Sequence, residues 1–464
     1  MSRPDPAKIA AVRAELAKTL DERQLRDDPA TLAIYGHDES DTADHPADLV
    51  VFARETKDVQ LVLRTAFAHG VPVTPVAART GKSGGCLPLR GGVSLSLEQM
   101  NQLLNLDVVN LTATLQPGLI TGNLMKAVEE KGLFYPPDPN SWESCTMGGN
   151  IAENAGGPRA LKYGVTRDYV IGMEWVLPSG EAMRVGRKTI KGVAGYDLVG
   201  LFVGSEGTLG VATEITVQLL PLPRQVMTAL LVFADVAQAV AAVNGVLARG
   251  LLPRCLELLD DVSVAAVAAR GFSFPPGAGA AVIAEVDGNV EDALMAELAV
   301  IDDVARQHGA LETLLAHDAT KREQLWAARR HLSTSLRALK AYKISEDIAV
   351  PRGEMARYIA RAKQLGKETH LTVATYGHAG DGNLHTNILY DSPADRPRVD
   401  AAVAELMALA VQLGGTITGE HGVGSAKQAF IALEQARPLL EVQKRLKALF
   451  DPAGLLNPGK IFPD

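Results

Sequence analysis

Three strings of glycine and other small residues crowd into the first half of this chain: RTGKSGG (79–85), GGNIAENAGG (148–157) and GSEGTLG (204–210). Glycine reaches positive φ and lets other groups approach the main chain closely, so each string belongs in a loop. Any one alone would be a tight turn. Together they predict a cradle whose backbone N–H groups lie against a pyrophosphate. Spacing excludes two common cradles. Gly81-Lys82-Ser83 looks like the end of a P-loop, but the glycine required five residues earlier is Val76. A GxGxxG fingerprint is absent, and 204–210 runs into VATEITV, a strand pattern where that fingerprint requires a helix.

Around these strings the periodicity implies mixed α and β structure. Ile9, Val12, Leu16 and Leu20 predict an amphipathic helix over 8–25. LVVF (49–52), VPVTPV (71–76) and VSLSL (93–97) read as strands, with a helix over 58–69. Pro221 and Pro223 mark a boundary, giving segments 1–46, 47–222 and 223–464. Beyond it, strands at 229–233 and 279–286 precede helices over 235–249 and 290–308, and a strand at 385–390 precedes a helix over 401–413. This order predicts an α+β domain, its sheet covered by helices on one face.

Charge narrows the partners. The 464 residues carry 46 Lys plus Arg against 54 Asp plus Glu, a formal −8 with no basic run, which argues against nucleic acid. Cys86, Cys145 and Cys255 form no CxxC pair, which denies a disulfide framework and a thiolate zinc site and points to the cytoplasm. The first twenty residues lack an apolar core, and the most apolar window, 230–252, is broken by Asp235, Gln238, Asn244 and Arg249. Neither a signal peptide nor a membrane span is expected.

Chemistry concentrates near the C-terminus. YGHAGDGNLHTN (376–387) places His378 and His385 seven apart, and GTITGEHGVG (415–424) supplies Glu420 beside His421. Two imidazoles and a carboxylate on glycine-flanked segments suit a divalent cation: zinc, or equally Fe(II) or Mn(II). Asp381 is read as a turn residue in DGN. A cation with open positions can acidify a bound hydroxyl, and a neutral histidine can then take its proton. Asn387, two residues beyond His385, would point into the same site.

The motifs TGKSGG, PPDPNS, CTMGGNIAENAGGPRALKYG, GYDLVGLFVGSEGTLG, YGHAGDGNLH, GEHGVG and FDPAGLLNPGKIF span about 48–462. They resemble those of the FAD-linked 2-hydroxy-acid dehydrogenases, the D-lactate dehydrogenase, glycolate oxidase and D-2-hydroxyglutarate dehydrogenase relatives of the vanillyl-alcohol oxidase superfamily. The resemblance implies an FAD-binding domain of two α+β subdomains and a C-terminal cap domain with a large antiparallel sheet covered by helices. It places Thr80, Gly81, Ser83, Gly84 and Gly85, with Lys82 among them, at the pyrophosphate. Pro117, Gly118, Pro137 and Asp138 would line the adenosine and ribityl side. Thr146, Gly149, Asn150 and Ala155 would lie along the isoalloxazine. Glu206, Gly210 and Val211 would meet the adenine end, and the C-terminal segment would return to the FAD site, where Asn457 would close it. Where the family has a glycine-rich run and an Arg before Thr-Gly, this chain has Val76-Ala77-Ala78-Arg79. The loop has no histidine to attach flavin, so non-covalent FAD is expected.

The same resemblance makes His378, His385 and Glu420 metal ligands and His421 the base. It makes Arg329, Ser333 and Lys343 the substrate-carboxylate contacts, although Arg329, Arg330 and Arg337 also read as a solvated helix face. The expected reaction is oxidation of a D-2-hydroxy acid, with electrons leaving to an iron–sulfur subunit, an electron-transferring flavoprotein or a quinone. A homodimer, or peripheral attachment to a membrane through a partner, is compatible with it. The competing readings are an oxygen-using oxidase, a flavin-free metallohydrolase or oxygenase, and an electron-transfer subunit without a base.

Overall fold

The computed structural model describes residues 3–316 and 319–463. The chain forms two compact units, Met1–Ala155 with Val165–Leu222 and Glu420–Asp464, and Gly156–Gly164 with Pro223–Gly419. Besides the division at Leu222/Pro223, a nine-residue excursion at 156–164 belongs with the second unit, and the C-terminal segment belongs with the first.

In the first unit, strands Leu49–Phe52, Val93–Ser96 and Val73–Val76 run parallel, with Val93–Ser96 central and Leu25–Arg26 antiparallel at one edge. Every residue of LVVF (49–52) and of VSLS (93–96), its serines included, is buried, as a parallel sheet covered on both faces requires. Helix Thr56–Ala68 buries Val59, Val62, Leu63 and Ala66, one stripe at helical spacing. The N-terminal helix, Pro6–Leu16, starts with proline behind an Asp5 cap that accepts from Ala7 N at 2.8 Å. It ends at Leu16, and further on Asp21 Oδ1 takes the amides of Arg23 and Gln24 into a separate turn before residue 25. A second sheet, antiparallel, orders Leu103–Asp107, Thr112–Leu115, Val211–Gln218, Val170–Val176 and Ala182–Gly186. The C-terminal segment returns to the first sheet, where Val73 N donates to Leu455 O and Asn457 N to Val73 O.

The second unit is built on seven antiparallel strands, ordered Ala310–Ala316, Gln225–Phe233, Ala280–Gly288, Cys255–Leu259, Thr372–His378, Asn383–Tyr390 and Tyr342–Ala349. Helices Asp261–Ala268, Ala319–Arg330 and Leu332–Arg337 bury Val264, Leu325, Leu332 and Leu336 against Leu230, Ile283 and Leu389 on one face. The opposite face takes helix Met355–Thr369, whose Tyr358 hydroxyl lies 3.3 Å from Thr386 Oγ1. Helices thus cover both faces rather than the one expected. Leu258, Val282, Val373 and Ile388 make the second face as apolar as the first, and it needs a cover of its own. Among the described residues no helix is long and apolar enough to cross a membrane.

Candidate active site

Toward one end of the large sheet its first face turns polar. Register sets Glu257 beside His378, Tyr376 and Asp347 beside His385, Ser345 beside Asn387 and Lys343 beside Leu389. With side chains alternating, Glu257, Tyr376, His378, His385, Asn387, Asp347 and Lys343 all project from this face. The turn joining the two histidine strands is closed by Asp381, whose Oδ1 accepts from Asn383 N at 3.1 Å.

His378 is only 5% exposed, and its Nδ1 lies 2.5 Å from Glu257 Oε1. The other Glu257 oxygen accepts from Arg329 Nε at 2.7 Å. Burial alone would raise the Glu257 pKa, but His378 and Arg329 outweigh it and hold the carboxyl at about 2. Glu257 is therefore ionised, and His378 Nδ1 carries the proton that it accepts. Arg329 is buried with its guanidinium carbon 4.7 Å from the centre of the Tyr376 ring, so it is no solvated helix face. Arg330 pairs with Glu323 and Arg337 is exposed.

His385 lies between Tyr376 and His378, with ring centroids 5.4 Å from each. Asp347, fully buried, accepts from Thr418 Oγ1 at 3.0 Å and Gly419 N at 2.9 Å, which fixes the residue immediately before Glu420. One ligand atom each from His378, His385 and Glu420 lie within 4.8 Å of one another. Tetrahedral bonds of about 2.1 Å would separate such donors by roughly 3.4 Å. The donor set and its spread fit a divalent cation, and a carboxylate on the second nitrogen of a ligating imidazole is the usual outer support. Lys343 Nζ donates to Ser333 Oγ at 2.6 Å and to Asn387 Oδ1 at 3.2 Å, so the structure brings these three together. Glu257, Asp347 and Tyr376 were not singled out from the sequence; the one available signal was a lone acid in an otherwise apolar buried strand, CLELL.

In the first unit the three glycine strings surround buried polar groups. A Cβ on Gly81 would meet nothing within 4 Å, whereas one on Gly84 would lie 2.3 Å from Ser425 Oγ. Arg79, at φ +59°, turns back onto Ala77 O and the Tyr35 ring; Ala78 and Thr80 flank it half-buried, and Lys82 is exposed. Gly148 packs on Pro117, and Gly118 on the backbone of Leu97 and Met100. Thr146 caps helix Met147–Glu153 by accepting from Gly149 N, and Asn150 donates to Thr121. Pro137 and Ala155 are buried, and Asp138 is half-buried. Glu206 anchors a turn, its oxygens accepting from Val423 N at 2.8 Å and Gly424 N at 2.6 Å. Gly210 backs onto Trp175, and Val211 opens the strand that follows. Asn457 Nδ2 ties Gly85 O to Glu206 O. Ser205 Oγ, Ser425 Oγ, Glu153 Oε2 and Asn457 Oδ1 are buried and find no hydrogen-bond partner among the described residues, and such atoms beside a cradle of small residues fit a polar ligand.

Burial first, and then the Glu206 carboxyl, push Glu153 well above the usual carboxylate range; burial raises Glu206 as well. A carboxyl whose pKa is higher folded than unfolded contributes stability below its unfolded pKa, lost as pH rises through the folded one. Thermal unfolding followed from pH 5 to 9 should therefore show the wild type losing stability on the alkaline side. Glu153→Gln, neutral at every pH, should flatten that slope. An unchanged slope would exclude Glu153 as its source.

Comparison with known proteins adds the cofactor. Residues 47–186 match the FAD binding domain, and residues 222–461 match the FAD linked oxidases, C-terminal domain. The chain is 40% identical to glycolate oxidase subunit GlcD of Bacillus subtilis (strain 168), over 97% of this chain and 96% of that protein. The chain belongs to the FAD-linked 2-hydroxy-acid dehydrogenase and oxidase family. It is 35% identical to D-lactate dehydrogenase of Anaerostipes hadrus, over 89% of each chain. p-Cresol methylhydroxylase, at 18% identity, shares the fold with a TM-score of 0.82 over 99% of this chain and 97% of that one. The chain is thus an FAD-dependent oxidoreductase with a fold of the vanillyl-alcohol oxidase type.

Proposed function

We propose that the chain oxidises a small D-2-hydroxy acid, D-lactate or glycolate before others, to the 2-oxo acid. The observation that carries this reading is the meeting of His378, His385 and Glu420 within one ligand-sized space. Bound FAD would supply the acceptor for the C2 hydride, and a divalent cation held by these three residues would supply Lewis acidity to the substrate hydroxyl. His421, directly after Glu420, takes the hydroxyl proton on its imidazole. Lys343 and the Nη groups of Arg329 hold the substrate carboxylate, since a guanidinium fork fixes its orientation. Asn387 keeps Lys343 aimed. The 76–85 loop, Pro117, Gly118, Pro137, Asp138, Thr146, Gly149, Asn150, Ala155 and Asn457 hold FAD without a covalent bond. Electrons pass on to a partner, an iron–sulfur protein, an electron-transferring flavoprotein or a quinone.

Anaerobic mixing of the purified yellow protein with a panel of D- and L-2-hydroxy acids tests this. D-Lactate or glycolate should bleach the flavin band near ~450 nm, and L-lactate should not. Slow recolouring in air would support a dehydrogenase with a partner acceptor, and immediate recolouring an oxidase. No bleaching by any member of the panel would overturn the proposal.

A further inference from the structure

Resting on that reading, we propose that Glu257 is a positioning residue shared by the metal site and the substrate-carboxylate site. Its two oxygens serve different partners, Oε1 the Nδ1 of His378 at 2.5 Å and Oε2 the Nε of Arg329 at 2.7 Å. Both bonds are shielded from water, because Glu257 is 0% exposed and both partners lie under a tenth exposed. Three elements of structure meet at this carboxylate. Glu257 comes from strand Cys255–Leu259, His378 from strand Thr372–His378 and Arg329 from helix Ala319–Arg330.

The consequence for His378 is a fixed tautomer and ring orientation. With Nδ1 committed to Glu257, coordination by His378 uses Nε2, and the negative charge behind the ring strengthens that nitrogen as a donor. The consequence for Arg329 is a fixed plane. Nε is held by Glu257 and the guanidinium lies over the Tyr376 ring, so the fork cannot rotate to follow a mobile anion. Tyr376 in turn borders His385, so the same packing touches the second proposed ligand. A single carboxylate thereby sets the orientation of the metal relative to the arginine that grips the substrate. Isolated ionic pairing does not account for this arrangement, since a pair needs one partner and Glu257 holds two from separate elements.

Glu257→Gln keeps the volume but puts an amide where both partners need an acceptor. The test measures Zn2+ affinity of the FAD-loaded protein by competition with a chromogenic chelator, alongside kcat and KM for the best hydroxy acid. Glu257→Gln should weaken Zn2+ binding 10- to 100-fold and raise KM, with the flavin spectrum unchanged. Arg329→Lys should raise KM while leaving Zn2+ affinity within about threefold, because it removes the fork but not the support of His378. If Glu257→Gln fails to fold, Glu257→Asp replaces it and should also weaken Zn2+ binding and raise KM relative to the wild type, because the shorter side chain cannot reach both partners. Wild-type Zn2+ affinity and KM in the Glu257 variants would overturn the proposal while leaving the proposed reaction intact. Failure of the wild-type protein itself to bind Zn2+, Fe2+ or Mn2+ would instead remove the metal-assisted reading on which it rests.

Discussion

His421→Ala is expected to leave the flavin bound and to slow its anaerobic reduction by the hydroxy acid 100- to 10,000-fold, the range attributable to a positioned general base. Its neighbourhood explains why the loss should be confined to rate. The backbone on one side of His421 is held by Asp347 through Gly419, and on the other by Glu206 through Val423 and Gly424. These five groups are three main-chain amides and two carboxylates of other residues, and the bonds they make do not involve the imidazole. Stopped-flow absorbance at the flavin band gives the reduction rate directly, separate from any partner acceptor. The pH profile supplies a second check. A base that must be neutral predicts a wild-type rate rising through the histidine range, and the alanine variant should lose that rise. Reduction at the wild-type rate would place the base elsewhere.

Elements whose apolar spacing is regular were legible in the sequence. Thr56–Ala68, Val236–Ala248 and Glu291–Gln307 lie within two residues of the expected helices. Ends were read less well where side chains compete for backbone groups. The helix expected from 401 begins at Arg396, because Pro397 near its start supplies a pre-set φ that an apolar count does not register. The second layer of helices was hidden for another reason. Strands buried on both faces lose the alternation that tells one face from the other.

At the site, legibility followed distance along the chain. His378, His385, Glu420 and His421 occur in two short glycine-flanked strings, so residue type and spacing suggest them together. Glu257 reaches His378 across 121 positions, and Asp347 reaches Thr418 across 71. Glu257 is one acid in an apolar strand and Asp347 stands beside Glu346 in a mixed one, and only strand order and register bring each to its partner. The flavin loops divide similarly. Their small residues announced a cradle, whereas the grip of Glu206 on the 423–424 backbone needed the fold.

On the proposed reading, loss of the cation should be a lesion at least as severe. Stripping divalent metal with a strong chelator, or replacing His378 by alanine, is expected to lower the rate of flavin reduction at least ~1,000-fold, because Lewis-acid polarisation of a hydroxyl is worth several kcal/mol and each ~1.4 kcal/mol is tenfold. The two treatments should differ in reversibility. Chelated wild type should regain activity with added Zn2+, Mn2+ or Fe2+, and the metal that restores most would identify the native preference. His378→Ala should not recover at the same metal concentrations. It also leaves Glu257 buried with Arg329 as its one remaining partner in the pair of bonds described, and a buried polar group that loses a partner costs about 1–3 kcal/mol. A modest fall in thermal stability should accompany the activity loss, whereas chelation, which leaves the Glu257 bond intact, should lower stability only by the binding energy of the metal itself. Stoichiometric metal retained by His378→Ala, measured by atomic emission on the dialysed protein, would remove His378 from the ligand set.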